Sequence, residues 1–119
     1  MELSTYVGDF RAFKALITAN AAGVEVTVKA ADPKETNPNT VPVLTTAHGE
    51  LTQSNAIARF IARSRPEAGL FGQSFFQSAQ VDTWIEWGTN NVELPAIVST
   101  YWQYGWQEFN FQVRACVRI

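Results

Sequence analysis

The stretch VPVLTTAHGELTQSNAIARFIARSRP (41–66) decides the fold. VPVLTT (41–46) is a β-prone run, and Pro42 has no N–H to give a ladder, so it belongs at a strand start or a sheet edge. His48-Gly49-Glu50 then makes a turn into a short strand at Leu51-Thr52, an antiparallel hairpin by its length. Ser54 carries N-cap chemistry for a helix whose apolar stripe is Ala56, Ile57, Phe60 and Ile61. That helix ends near Arg63-Ser64-Arg65, ahead of Pro66.

Upstream, MELSTYV (1–7) is an apolar, β-prone alternation, and Gly8-Asp9 supplies a turn and a helix N-cap. From Phe10 the apolar positions Phe10, Phe13, Ile17 and Ala21 recur at helical spacing, while Arg11, Lys14 and Thr18 fall elsewhere on the wheel. This is an amphipathic helix, closed by Gly23 in the position favoured after a helix C-terminus. VEVTVKA (24–30) alternates strictly, as a strand half exposed at a sheet edge would. ADPKETNPNT (31–40) is polar and broken by proline and asparagine, which makes it a loop. The order is therefore βαβ, loop, ββα: a four-stranded mixed sheet with helices over residues 1–65.

Downstream of the linker PEAGLFGQ (66–73) the chain becomes helical and aromatic. Val81, Trp84, Ile85 and Gly88 mark one face of a helix from about Ser74 to Asn91, and Pro95 opens a further helix, LPAIVSTYWQYGW, at its first turn. The tail FQVRACVRI alternates with a period of two and is strand-like. The second region is expected over 74–119.

Composition narrows the function. The chain has 119 residues, 46% hydrophobic and 17% charged, with a net charge of −2. That suits one well-packed core and offers no electrostatic reason for direct nucleic-acid or anionic-membrane binding. No apolar run approaches the roughly 20 residues that span a bilayer, and Glu2 and Asp9 spoil a secretory-signal reading, so a cytoplasmic location is expected. One cysteine, Cys116, and one histidine, His48, leave no Cys/His zinc site and no disulfide framework. His48 is a turn residue beside Gly49, and Cys116 reads as a small apolar residue.

The layout is thioredoxin-like, and the local sequences resemble known families. VPVL (41–44) resembles the cis-proline strand of glutathione transferases, and TQSNAIARFIA (52–62) resembles their Glu-Ser-x-Ala-Ile helix start. YVGDFRAFKALITANAAGVEVTV (6–28) and VELPAIVSTYWQYG (92–105) resemble the gamma-subunit family of translation elongation factor 1, whose amino-terminal half is glutathione-transferase-like. The run from Ile61 to Trp87 is also similar to the equivalent domains of methionyl- and glutamyl-prolyl-tRNA synthetases. The resemblance covers roughly residues 1–108: the thioredoxin-like half and the first two helices of an all-helical half. It departs from the family in three places. The second helix of the thioredoxin half is missing from 31–40, Gln53 replaces the glutamate before the serine, and the helical half ends in an unfamiliar tail.

The resemblance implies a cis Val41-Pro42 bond and a glutathione site built from Val41, Pro42, Gln53 and Ser54, with Ser54 and its backbone N–H on the γ-glutamyl carboxylate. The plain alternative for Ser54 is an N-cap worth about 1 kcal/mol. Tyr6 is the nearest candidate for the hydroxyl that activates the thiol, its plain alternative being packing or capping of the first helix. The three departures weigh against turnover, leaving glutathione at most a vestigial ligand. The tryptophans Trp84, Trp87, Trp102 and Trp106 have acidic neighbours, so they suit a protein interface better than a base-stacking platform. The expected function is a noncatalytic scaffold that assembles elongation factor 1 subunits. Its alternatives are a glutathione S-transferase and the docking domain of an aminoacyl-tRNA synthetase complex. Exposed tryptophans would make the protein a homodimer or a heteromeric complex.

Overall fold

The computed structural model describes residues 1–32, 36 and 40–100. It divides into two compact units, Met1–Ser78 and Ala79–Ile119.

The first unit carries β1 (Glu2–Thr5), α1 (Phe10–Ala22), β2 (Thr27–Ala30), β3 (Val43–Thr46), β4 (Gly49–Thr52) and α2 (Ser54–Ser64). The sheet order is β2-β1-β3-β4. β1 runs parallel to β2 and antiparallel to β3, and β3 runs antiparallel to β4. This is the mixed four-stranded sheet expected from the sequence, with β2 paired on one side only. The hairpin turn is tighter than expected: Thr46 pairs with Gly49, so Ala47-His48 make a two-residue turn and Gly49-Glu50 already belong to β4. The first residues of the 24–30 alternation lie outside β2, but Val24 and Val26 still pack against the core.

Period two does its work in β1, where Leu3 and Thr5 are buried and Glu2 and Ser4 are less so. Leu3 stands opposite Leu44, which stands opposite Leu51, so one row of leucines crosses the sheet beneath the helices. Leu3, Leu44, Ile57 and Ile61 are fully buried with Ala12, Ala15 and Ala19 of α1.

Capping fixes the helix ends. The Asp9 carboxylate accepts from the Arg11 backbone N–H at 3.0 Å, and Gly23, in the left-handed region at φ 68°, closes α1. α1 departs from its sequence reading in its orientation. The face turned to the core is Ala12, Ala15, Ala19 and Ala22, whereas Phe13 is 51% and Ile17 68% exposed. The physical reason is distance: small side chains let α1 lie close to α2 and the sheet, where the larger stripe would hold it off. In α2 the buried residues are Ile57, Ala58, Ile61 and Ala62, with Phe60 partly buried and Ala56 exposed.

After α2, a 3₁₀ turn (Pro66–Ala68) leads to Phe71, whose ring lies 4.0 Å below the Arg63 guanidinium. Ser74 then caps α3 (Phe75–Gly88): its hydroxyl accepts from the Gln77 N–H at 3.2 Å, while the Gln77 side chain accepts from the Gln73 N–H at 2.7 Å. This is a variant of the capping box in which the glutamine side chain reaches the residue before the cap instead of the cap itself.

In the second unit α3 passes through a π-helical turn (Thr89–Glu93) into α4 (Leu94–Thr100). Pro95 is the second residue of α4 and has no N–H for the carbonyl one turn back. The adjoining wide turn, with the Leu94 N–H reaching the Thr89 carbonyl, is how a helix absorbs such a loss. No residue from 75 to 100 is buried. The rest of the expected 94–106 helix, Trp102, Trp106 and the strand-like tail lie outside the described residues.

Candidate functional site

The strand registers bring the candidate residues to one edge of the sheet. Ser4 of β1 pairs with Val43 of β3, which pairs with Thr52 of β4. Tyr6 leaves the end of β1 there, Val41-Pro42 enter β3 there, and Gln53-Ser54 leave β4 there into α2. The Val41-Pro42 bond is cis, as the resemblance implied. Both α1 and α2 begin at this edge; the N-terminus of α1 is already capped by the Asp9 carboxylate, and the N-terminus of α2 presents its positive dipole end there.

Tyr6 is 4% exposed, and its hydroxyl donates to the Thr36 backbone carbonyl. Burial pushes the phenol above its ordinary pKa, the nearby Asp9 and Asp32 carboxylates add to the rise, and the Arg11 guanidinium opposes it. A phenol has one proton to give, and here it goes to the main chain of the 31–40 segment. Val41 and Pro42 are buried. Ser54 is buried as the first residue of α2, while the N-cap position belongs to Gln53 and has no side-chain capping bond. The N-cap reading of Ser54 is therefore corrected by one residue. Gln53 sits at φ 70° and ψ 115°, and among the described residues it is the non-glycine with positive φ. An L-residue held there stores about 1–3 kcal/mol of strain, which persists only where the surroundings impose it.

Asp9 and Arg11 are members of this edge that sequence reasoning missed as a pair. The Asp9 carboxylate accepts from Arg11 Nε at 3.0 Å, from Arg11 Nη2 at 2.8 Å and from the Thr5 hydroxyl at 3.3 Å, and both charged side chains are buried. The signal was the D-x-R spacing at the cap: an Asp at the N-cap presents its second oxygen to a side chain two residues on. Lys14 donates to the Asn55 side chain, tying α1 to α2 beside the site. Among the described residues no group of His, Cys, Asp and Glu could hold a metal ion. Nor is any described helix long and apolar enough to cross a membrane.

Residues 1–63 match the family model of the glutathione S-transferase N-terminal domain. The chain belongs to that family. The matched stretch contains the whole sheet, the cis proline and nearly all of α2. Elongation factor 1-gamma 1 of Oryza sativa is 35% identical over 76% of this chain and 24% of its own length. Elongation factor 1-gamma of Drosophila melanogaster is 38% identical over 76% of this chain and 23% of its own. The chain thus spans about a quarter of these relatives. The expected relationship to the glutathione-transferase-like domain of elongation factor 1-gamma is borne out. Among solved structures, glutathione transferase Omega 2S of Trametes versicolor superposes with a TM-score of 0.66 at 25% identity, covering 82% of this chain and 50% of that one. A monomeric glutathione S-transferase of the hookworm Necator americanus gives 0.70 at 24% identity, over 97% and 58%.

The second interface candidate region is α3. Trp84 is 70% and Trp87 53% exposed, and their rings meet edge to face with centroids 5.9 Å apart. The exposure expected of these two tryptophans is present.

Proposed function

We propose that this glutathione-transferase-like domain is a noncatalytic scaffold that helps to assemble elongation factor 1 subunits in the cytoplasm. One observation carries the reading: the nearest candidate hydroxyl for activating a glutathione thiol, that of Tyr6, gives its proton to the Thr36 carbonyl. A transferase needs that proton aimed at sulfur, so that the thiolate form is stabilised and can attack an electrophile. The anion-binding half of the family site is kept, in Ser54 and the N-terminus of α2, with Val41, Pro42 and Gln53 beside it. That combination supports capture of a γ-glutamyl carboxylate as a vestigial property without turnover.

The relationship to elongation factor 1-gamma proteins supports the choice of partner, and the exposed Trp84 and Trp87 supply apolar contact area of the kind that anchors protein interfaces. The competing reading, a glutathione S-transferase, draws on the same edge with Tyr6 as its thiol activator. A paired assay separates them: conjugation of a generic aromatic electrophile with glutathione, and retention of elongation factor 1 subunits on the immobilised protein. The scaffold reading expects retention with little turnover. Robust turnover abolished by Tyr6→Phe, with no factor retained, would replace it with the enzyme.

A further inference from the structure

We draw no further inference here: the strongest candidate, the outward-facing apolar stripe of α1 with Phe13 and Ile17 exposed, is an unpartnered helix face, and nothing in the structure shows what covers it.

Discussion

Replacing Tyr6 by phenylalanine separates the two roles open to its hydroxyl. The ring stays in its buried place, and the donor to the Thr36 carbonyl is lost. A net intramolecular hydrogen bond contributes about 0.5–1.5 kcal/mol, and an acceptor left buried without a partner raises the cost to about 1–3 kcal/mol. Thr36 is half-buried, so water can replace the phenol, and the expected loss is about 1 kcal/mol. In a domain of this size that lowers Tm by roughly 4–8 °C. The pH dependence supplies a second, signed readout. Burial raises the Tyr6 pKa in the folded protein, while in the unfolded chain a tyrosine ionises near its ordinary value of about 10. The folded state therefore holds the proton more tightly, and the associated stability is fully present below about pH 10 and lost as pH rises through the raised folded value. Phenylalanine has no proton to lose, so the gap between wild type and Tyr6→Phe should be widest near neutrality and narrow above about pH 10. Urea unfolding followed by far-ultraviolet circular dichroism, at about pH 7 and again above about pH 10, measures both effects. A Tyr6→Phe protein as stable as the wild type at neutral pH, with its conjugation activity abolished, would refute the reasoning and assign the hydroxyl to chemistry.

Four further substitutions probe the same structure, each by chemical denaturation. Ile57→Ala empties a fully buried position beneath α2 and should cost about 2–5 kcal/mol. Ile17→Ala, on the exposed side of α1, should change stability by no more than about 0.5 kcal/mol. Asp9→Ala strips Arg11, Thr5 and the first turn of α1 of one shared acceptor and breaks a buried ion pair, so a loss of about 3–5 kcal/mol is expected. Gln53→Gly should stabilise by about 1 kcal/mol, because relief of about 1–3 kcal/mol of backbone strain outweighs the roughly 0.5–1 kcal/mol of glycine entropy.

Features written into neighbouring residues were legible from sequence. Asp9 and Gly23 bound α1 because a short acceptor and a residue without Cβ answer purely local demands. The alternation of β1 and the hairpin between β3 and β4 are likewise local, and they fix which row of residues faces the helices. The motif VPVL, through its resemblance, supplied the cis bond that composition could not. Features set by distant partners were illegible. The Tyr6–Thr36 bond joins residues 30 apart across a polar loop, and nothing in either neighbourhood announces it. The backbone of Gln53 is the same kind of case: glutamine has no preference for positive φ, so the conformation is imposed by the junction between β4 and α2.

The orientation of α1 shows where periodicity stops being informative. Phe10, Phe13, Ile17 and Ala21 form one helical stripe, and Ala12, Ala15, Ala19 and Ala22 form another on a different side. A hydrophobicity scale ranks the first above the second, yet the alanines face the core. What decides is the space between helix and sheet: Leu3, Leu44, Ile57 and Ile61 already fill it with large side chains from the other elements, so α1 contributes small ones. Volume is conserved across an interface, so the residue on one element is set by what its neighbours bring, and that is absent from any window of one helix.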